Sequence, residues 1–222
     1  MTKAVILLSG GLDSATCLAI AHSLNYDCYA MSFHYGQKQS AELEAARRLA
    51  QHYAVVAHQV LNISALSGSS LTDAQYEIED HRDTSDIPMT YVPARNTIML
   101  ALALGWAEVL EADRIIIGVS AIDYSNYPDC RPEYIEAFQR MALLATRRGV
   151  EGHGLVIDTP LIHKSKAQTI QLGLSVGLDY AQTVSCYRAN VEGLACGTCS
   201  SCHFRKKGFQ EAAVVDPTRY LV

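Results

Sequence analysis

The sequence predicts a doubly wound α/β fold, in which helices cover both faces of a mostly parallel sheet and a small cysteine-rich appendage follows. Short aliphatic runs alternate with segments of helical periodicity along most of the 222 residues, a pattern typical of parallel sheets. With 49% hydrophobic residues, the chain can bury one sizeable core. Four of its seven cysteines crowd into residues 186–202. We therefore predict an α/β domain over residues 1–180 and a C-terminal metal-binding segment with a packed helix over residues 181–222.

The first half of the domain is predicted to contain three strands separated by two helices. Residues 4–8 form an uninterrupted apolar run, which indicates a strand buried on both faces. Residues 28–33 and 55–61 are the next two strands, and Ser40 begins the helix between them. The first helix is marked by apolar residues at helical spacing, namely Cys17, Ile20, Ala21 and Leu24.

A long polar segment interrupts this rhythm. Residues 64–90 are rich in Ser, Thr and Asp, and a stretch of this length inside a compact domain predicts a functional loop or lid. The elements that follow it are an apolar helix over residues 94–110 and two strands, over residues 114–118 and 155–157.

Two further helices are indicated by their first residues. Pro132 suits the first position of a helix, and Ser165 with Gln168 forms a capping box. Ligands of parallel sheets bind beyond the carboxyl ends of the strands. The segments that leave predicted strands at that edge are residues 9–14, 33–37, 118–131 and 159–166.

The overall charge argues against a nucleic-acid partner. The chain has 18 Lys and Arg against 23 Asp and Glu, a net charge of −5 and a pI near 5.9. Proteins that track a phosphate backbone need a surplus of basic residues on at least one face. Arg205, Lys206 and Lys207 form a local basic run, which we predict to be a solvated first turn of the final helix.

The N-terminus and the cysteines predict a cytoplasmic protein without a membrane partner. Five apolar residues after Met-Thr-Lys are too few for the core of a signal peptide. No segment approaches the apolar length that spans a bilayer. In a chain without a secretion signal, clustered cysteines indicate a metal site rather than a disulfide framework.

Residues 9–14, Ser-Gly-Gly-Leu-Asp-Ser, predict an anion site between the first strand and the first helix. Gly10 and Gly11 let the backbone N–H groups point inward, Ser9 and Ser14 add hydroxyl donors, and a helix N-terminus favours negative charge. No Gly-Lys-Ser/Thr follows as in a Walker A motif, so the loop suits a released pyrophosphate better than transfer of a terminal phosphoryl group. The alternative is a plain glycine turn.

This string resembles the SGGxDS signature of the PP-loop ATP pyrophosphatase superfamily. The resemblance implies a Rossmann-like, adenine nucleotide alpha hydrolase-like fold. It also implies cleavage of ATP between its α- and β-phosphates through an adenylated substrate, with Asp13 organising Mg²⁺ or the loop itself. The residues then expected to contact ATP are Leu8, Ser9, Gly10, Gly11, Leu12, Asp13, Ser14, Ala15, Thr16, Cys17 and Leu18.

The spacing of Cys186, Cys196, Cys199 and Cys202 predicts a metal site. Four thiolates separated by nine, two and two residues can close a tetrahedral zinc shell, although an iron–sulfur cluster can use similar ligands. A redox dithiol fits this series of cysteines poorly. His203 could substitute as a ligand, but beside four cysteines we predict it to be the first residue of the last helix.

The motifs taken together resemble the QueC family. The resemblance rests on residues 9–14, on Tyr-Val-Pro-Ala-Arg-Asn at 91–96, on Tyr-Pro-Asp-Cys-Arg-Pro at 127–132 and on the four cysteines, and it covers essentially the whole chain. It implies an ATP-dependent carbon–nitrogen ligase of queuosine biosynthesis. In that reaction 7-carboxy-7-deazaguanine and ammonia become 7-cyano-7-deazaguanine, with release of AMP and pyrophosphate. A homodimer is implied by the resemblance alone.

The family's chemistry suggests roles for individual residues. Each adenylation builds negative charge on phosphate, and we expect Arg95, Lys164 and Lys166 to stabilise it together with Asp13, although lysines at a helix start are common on surfaces. Cys130 could be a nucleophile, but packing within a substrate loop is favoured because the sequence fixes no partner base. Carboxylates suit the N–H edge of a guanine-like ring and tyrosines offer stacking faces. The expected substrate-contacting residues are Asp123, Tyr124, Tyr127, Asp129 and Arg131.

Two alternatives stay open. Another PP-loop enzyme, one that modifies tRNA, would also use ATP and cysteines, although the acidic pI and the four-ligand cysteine spacing argue against it. A nucleotide sensor with a zinc-ribbon interaction module would bind ATP without steady pyrophosphate release. No glutaminase region fits in 222 residues, so ammonia must come free or from a partner.

Overall fold

The strands of the protein form one parallel sheet. A computed structural model describes residues 1–64, 66–83, 86–122 and 127–221. Within these ranges the strands are β1 (Lys3–Leu7), β2 (Asp27–His34), β3 (Ala57–Asn62), β4 (Arg114–Ile116) and β5 (Val156–Asp158). They are hydrogen-bonded in the order β3-β2-β1-β4-β5, and every neighbouring pair is parallel. The predicted fold class is confirmed, with each strand within two residues of its expected bounds.

The helices alternate with these strands. They are α1 (Leu12–Ser23), α2 (Ala41–His52), α3 (Arg95–Leu110), α4 (Pro132–Ala145), α5 (Arg147–Val150), α6 (Lys166–Ser175) and α7 (Ser200–Glu211), with short 3₁₀ turns at Pro128–Cys130 and Tyr180–Gln182. In the described ranges, no helix combines the length and the apolarity that a bilayer crossing requires.

The predicted helix starts are confirmed at two helices and wrong at the last. Pro132 occupies the first position of α4. The Ser165 side chain accepts from the Gln168 N–H while the Gln168 side chain accepts from the Ser165 N–H, which is the expected capping box. His203 is not the first residue of α7, because the extended backbone of Cys199 places the helix start at Ser200.

Side chains of the sheet alternate between two buried layers, as expected for a strand covered on both faces. Val5 and Leu7 of β1 pack with apolar residues of α3 and α4. Ala4 and Ile6 pack on the opposite side with residues of α1, α6 and α7. Burying one Leu or Ile contributes about 1.5–3 kcal/mol, so these two layers supply much of the stability of the domain.

The polar segment over residues 64–90 contains no helix or strand in its described part, which confirms the predicted loop. Leu71 and Ile78 are buried in the layer that contains α3. The His81 N–H donates to the Thr198 carbonyl (2.9 Å), and Arg188 donates to the Ile78 carbonyl (3.1 Å). The segment is therefore fastened to the cysteine-rich region.

The basic run in α7 is not a solvated first turn, because Arg205 is only 3% exposed. Its guanidinium pairs with Asp216 (3.0 Å) and donates to Thr183 Oγ1 (2.8 Å). Lys206 and Lys207 are exposed and fit the prediction, although Lys206 also donates to the Gly197 carbonyl (2.9 Å). The prediction failed for Arg205 because Tyr180, Thr183 and Asp216, which are remote in the sequence, surround its guanidinium. The domain boundary at residue 180 stays a prediction.

Replacing Gly10 with Ala should lower the free energy of unfolding by about 2–5 kcal/mol. Gly10 has a φ of +91°, and a Cβ there would lie 2.1 Å from the Glu42 carbonyl oxygen of α2. Gly152 is a matched control, because its φ is +82° and a Cβ at Gly152 would meet no atom within 4 Å. Urea denaturation should show a smaller loss, about 1–2 kcal/mol, for Gly152→Ala. Equal losses would contradict the close approach.

Candidate active site

The candidate active site lies where the strand order reverses. β2 lies on one side of β1 and β4 on the other, and a reversal of this kind opens a crevice at the carboxyl ends of the strands. A cavity of about 230 Å³ occupies this position. It is lined by residues from each predicted edge segment, among them Ser9, Tyr35, Gly118 and Lys166. The sequence-based location of the site is therefore supported by the geometry.

The loop after β1 gathers its N–H groups around serine hydroxyls. Ser14 Oγ accepts from the N–H groups of Ser9 and Gly10, both at 3.2 Å, and lies 3.0 Å from Ser9 Oγ. The Leu12 N–H donates to Oγ of Ser185, a residue far away in the sequence (3.1 Å). Consecutive amides directed at oxygen atoms in front of a helix N-terminus form an arrangement that suits phosphate oxygens.

Asp13 and Lys166 form an ion pair at the edge of this loop. Lys166 Nζ lies 2.8 Å from both carboxylate oxygens of Asp13, and its side chain is only 9% exposed. Gly208 of α7 leaves room for the lysine stem, since a Cβ at Gly208 would lie 2.4 Å from Lys166 Cγ. A Cβ at Gly118, after β4, would likewise lie 2.9 Å from the Asp13 carbonyl carbon, so only glycine allows this close approach. Close packing from α7 and from the segment after β4 thus fixes the position of this pair.

Arg95 places a second positive charge in the cavity. It is the first residue of α3 and follows Ala94, whose φ of +53° turns the chain sharply into the helix. Its guanidinium carbon lies 5.5 Å from the centroid of the Tyr35 ring, and Nη1 donates to the Tyr35 hydroxyl (3.4 Å). Arg95, Lys166 and Arg205 all line the cavity, which therefore favours an anionic ligand.

Lys164 and the body of α1 lie away from the cavity lining. Lys164 is two residues from Lys166, and its carbonyl accepts from Ser120 Oγ. Its side chain does not line the cavity. Six of the residues expected to contact ATP do line the cavity: Leu8, Ser9, Gly11, Leu12, Asp13 and Ser14. The others do not, and four of them, all in α1, are fully buried: Ala15, Thr16, Cys17 and Leu18.

The loop expected to contact the substrate is only partly at the cavity. Tyr127 lines it and is held by Thr90, whose Oγ1 lies 2.7 Å from the tyrosine hydroxyl. Asp129 instead accepts from the Asn96 N–H at the start of α3 (2.9 Å), and Arg131 Nε donates to the Pro128 carbonyl (3.2 Å). Neither of these two side chains is part of the lining. Asp123 and Tyr124 lie outside the described residues.

Cys130 lines the cavity as a protonated thiol. Asn96 Nδ2 donates to its sulfur (3.3 Å), and burial raises the pKa of the thiol to about 12. Because the thiolate is the nucleophilic form of cysteine, such a pKa disfavours nucleophilic attack at neutral pH. The geometry agrees with the packing role favoured for this residue.

The cavity lining also contains residues that were not predicted as site residues, among them Tyr35, Glu42, Ser185 and Arg205. Tyr35 lies in a segment expected at the ligand edge, but nothing distinguished its side chain. Glu42 is in the first turn of α2, where acids commonly compensate the helix dipole. Ser185 and Arg205 reach the cavity only through tertiary packing, so the sequence carries no local signal for them.

The carboxyl of Glu42 titrates near neutrality. Burial raises its pKa to about 7, against the opposing effects of the Arg95 charge and a hydrogen bond with Gln39. A carboxyl group with this pKa can both accept and release a proton at physiological pH. Glu42 is thus a titratable group of the cavity that the sequence pattern did not indicate.

The four cysteines near the C-terminus converge on one point. Their sulfur atoms all lie within 4.8 Å of one another, with Cys186 3.9 Å from Cys199 and Cys196 3.9 Å from Cys202. The N–H groups of Arg188 and Cys196 donate to the Cys186 sulfur (3.3 and 3.2 Å). Hydrogen bonds from Cys186 and Cys202 lower the pKa of the Cys199 thiol. The cluster could hold a metal ion.

The cysteine segment is hydrogen-bonded directly to the phosphate-binding loop. Ser185, next to Cys186, accepts from the Leu12 N–H (3.1 Å), and the Val184 N–H donates to the Gly10 carbonyl (3.0 Å). Arg205 Nη1 lies 3.5 Å from Ser185 Oγ. A segment that is remote in sequence therefore completes the loop after β1.

The chain is similar to a known protein family, to individual curated proteins and to solved structures. A family model described as "Queuosine biosynthesis protein QueC" matches residues 3–213. A 7-cyano-7-deazaguanine synthase of Coxiella burnetii is 63% identical over 100% of this chain and 99% of its own length. A protein of the same name from Legionella pneumophila is 58% identical over 99% and 97% of the two chains. Among solved structures, an NMN synthetase from Francisella tularensis aligns with 96% of this chain and 78% of its own chain. The two share 14% sequence identity, and the TM-score is 0.47.

Proposed function

Because the chain belongs to the QueC family of queuosine biosynthesis proteins, we propose that it converts 7-carboxy-7-deazaguanine and ammonia into 7-cyano-7-deazaguanine at the expense of ATP. It is then an ATP-dependent carbon–nitrogen ligase. The observation that carries this proposal is the meeting of the loop at residues 9–14 with Lys166 and Arg95 in one cavity. That arrangement supplies amide donors and positive charge where ATP would be cleaved.

The first step of the proposed reaction activates the carboxylate. An oxygen of the substrate carboxylate attacks the α-phosphorus of ATP, the bond to the bridging oxygen breaks, and pyrophosphate leaves with the electron pair. The N–H groups of residues 9–12 donate to serine hydroxyls in this structure and would exchange those partners for phosphate oxygens of ATP. Lys166 and Arg95 would offset the charge that develops there. Asp13 holds Lys166 in place through both carboxylate oxygens.

The next steps build the nitrile. Ammonia displaces AMP from the acyl adenylate and gives an amide. A second ATP then activates the amide oxygen in the same way, and loss of AMP with protons from nitrogen leaves the nitrile. One cavity serves both activations, because each brings an oxygen of the same carbon to the α-phosphate held by the same loop.

The substrate ring is proposed to lie on the tyrosine side of the cavity. Tyr127 and Tyr35 line that side and offer aromatic faces to a deazaguanine ring. We keep Asp123, Tyr124, Asp129 and Arg131 as proposed substrate residues of the same loop. Asp129 would act by fixing the start of α3, since its carboxylate accepts from the Asn96 N–H (2.9 Å).

We propose that Mg²⁺ enters with ATP and that Asp13 is its protein carboxylate. Mg²⁺ usually keeps one or two carboxylates together with phosphate oxygens and water. The Asp13 carboxylate is 32% exposed, faces the loop, and has lone pairs beyond those that accept from Lys166, so it fits this role. The ion would neutralise charge on the pyrophosphate that leaves.

We propose that the four cysteines hold a structural zinc ion. Zn–S bonds of about 2.3 Å place the sulfurs of a tetrahedral site about 3.8 Å apart. The distances of 3.9 Å between Cys186 and Cys199 and between Cys196 and Cys202 match this geometry. Four protein ligands leave no open coordination position, so the ion would stabilise the segment rather than act on substrate. Reduced thiols also support the proposed cytoplasmic location.

We propose a homodimer through the outer faces of α3 and α4. α3 carries apolar residues on all sides, which is typical of a helix covered on all sides. Its outer residue Val109 is 80% exposed, and Leu144 of α4 is 81% exposed. Tyr134 and Thr97 (2.9 Å) link the first turns of the two helices, and we propose that the exposed apolar residues of both helices belong to one interface. A second copy of this chain would cover these residues.

Val109→Asp should convert the dimer into a monomer of 24.3 kDa in sedimentation velocity experiments. A charge buried in an apolar interface is costly, because it loses its water without gaining a partner. Val215, which is 88% exposed beyond α7, is the matched control, and Val215→Asp should leave the mass unchanged. If the unaltered protein already sediments as a monomer, or if both variants stay dimeric, this interface is wrong.

The function is tested by incubating the protein with ATP, Mg²⁺, ammonium and 7-carboxy-7-deazaguanine. Mass spectrometry and ³¹P NMR should detect the nitrile, AMP and pyrophosphate together, and only when both co-substrates are present. AMP and pyrophosphate without nitrile would point to another acceptor, with tRNA tested next. Release of ADP and phosphate would contradict the proposed cleavage. ATP binding without turnover would favour a nucleotide sensor.

A further inference from the structure

Glu42 lies in the cavity, and none of the steps above employs it. Its backbone carbonyl packs against Gly10, so the side chain starts beside the phosphate-binding loop. Within the described part of the chain, the carboxylates that line the cavity are Asp13 and Glu42. Asp13 accepts from Lys166 through both oxygens. Glu42 is therefore the lining carboxylate that is not engaged by a cation at hydrogen-bond distance in this arrangement.

The proposed reaction needs a group that accepts protons from nitrogen. Ammonium predominates in neutral water, and it has no lone pair with which to attack an acyl adenylate. From ammonium to the amide, the nitrogen loses two protons, and from the amide to the nitrile it loses two more. The phosphate-binding loop, Lys166 and Arg95 donate hydrogen bonds or carry positive charge, so none of them can accept these protons.

The surroundings of Glu42 suit proton transfer. The groups that act on it electrostatically are Arg95 from α3 and Gln39 from the preceding turn, which lower its pKa, and Cys199 from the start of α7, which raises it; the Tyr35 hydroxyl interacts with it as well. Their combined effect with burial leaves the carboxyl with a pKa of about 7. A base with a pKa near the working pH accepts a proton readily and returns it readily to water.

We propose that Glu42 is the general base that removes protons from the attacking nitrogen, an inference that rests on the function proposed above. The nitrogen lone pair forms the C–N bond, and the C–O bond to AMP breaks with its electron pair on the phosphate oxygen. One N–H proton passes to the Glu42 carboxylate, which releases it to solvent before the next transfer. No oxidant or reductant is needed.

A second role for this carboxylate is recognition of the N–H edge of the deazaguanine ring. A carboxylate that accepts from two ring N–H groups would strengthen binding of the acid before any chemistry occurs. A base that acts on ammonia would leave that binding unchanged. The two roles therefore differ in the adenylation half-reaction, which requires the acid and ATP but no ammonia.

The test compares Glu42→Gln with the unaltered protein in two partial reactions. ATP–pyrophosphate exchange that depends on 7-carboxy-7-deazaguanine should change less than about threefold, whereas ammonia-dependent amide formation in a single turnover should slow about 10²–10⁴-fold. Glu44→Gln, two residues along α2 on an exposed position, is the control and should alter neither reaction. Normal amide formation in Glu42→Gln would overturn the proposal, and so would a large rise of KM for the acid in the exchange reaction.

Hydroxylamine provides a second arm. It is largely unprotonated at neutral pH, so it should attack the adenylate in Glu42→Gln almost as fast as in the unaltered protein. Equal impairment with ammonia and hydroxylamine would contradict a role in proton removal. Failure of the unaltered protein to exchange pyrophosphate would instead refute the proposed function, so the two failures are distinguishable. The exchange reaction also confirms that the variant is folded.

Discussion

Lys166→Met is expected to slow ATP–pyrophosphate exchange about 10²–10³-fold, the loss typical of removing one preorganised charge from a transition state. Lys166 is 7% exposed, and its stem packs against Gly208, so methionine can replace the stem while the charge is lost. Asp13 then loses the cation that is 2.8 Å from both of its oxygens. The expected defect therefore combines missing positive charge with a displaced carboxylate.

Lys164→Met is the matched control for this variant. Lys164 has the same side chain two residues away, but it does not line the cavity. Exchange activity should stay within about threefold of the unaltered protein, as expected for surface substitutions. Comparable losses in the two variants would mean that the lysines act through the start of α6 and not through the Asp13 ion pair. Lys166→Met leaves the Asp13 carboxylate without its cation, which should lower the stability of the protein. The double variant Asp13→Asn with Lys166→Met should be more stable than Lys166→Met alone but should remain inactive.

Cys199→Ser should remove the bound metal and the activity together. Serine is a poor ligand for zinc, and the remaining thiols cannot close a four-ligand shell. Ser185 and Arg205 flank the cluster in the sequence, and they support the Leu12 N–H at the phosphate-binding loop. Metal content should fall from about one ion per chain towards zero, with a lower melting temperature and at least a roughly 100-fold loss of exchange activity.

Cys28→Ser controls for the loss of a buried thiol. Cys28 is 5% exposed in β2 and lies outside the cluster. Its variant should keep the metal, as measured by elemental mass spectrometry, and should retain most of the activity after a modest loss of stability. A Cys199→Ser protein that is free of metal, folded and fully active would contradict the structural role of the site.

The sequence was sufficient for the fold because the signals of the fold are local. A buried parallel strand is a short apolar run, and a helix shows its apolar period and its first residues within one stretch. Pro132 and the Ser165–Gln168 capping box therefore predicted the starts of α4 and α6. The start of α7 was misplaced because it depends on the extended backbone of Cys199. That conformation follows from the gathering of the four cysteines, and a helical pattern in the sequence does not indicate it.

The candidate site was predictable only where its residues form a motif. Residues 9–14 and the four cysteines occur at recognisable spacings, and the phosphate loop and the cysteine cluster follow from them. Glu42 resembles an ordinary helix-start acid, and Ser185 has no pattern around it. Arg205 looked like a solvated residue, because burial of a charge depends on Asp216 and Thr183, which approach only in three dimensions.

The connection between Ser185 and the loop after β1 has a consequence for biosynthesis of the chain. Residues 9–14 leave the ribosome first, yet the Leu12 N–H finds its partner only after residue 185 has been made. At about 5–20 residues per second, that delay lasts many seconds. A nascent chain can thus form β1 and α1 early but cannot complete its nucleotide site. Catalytic competence would appear only after residues 185–202 have emerged and the four cysteines can gather around their metal.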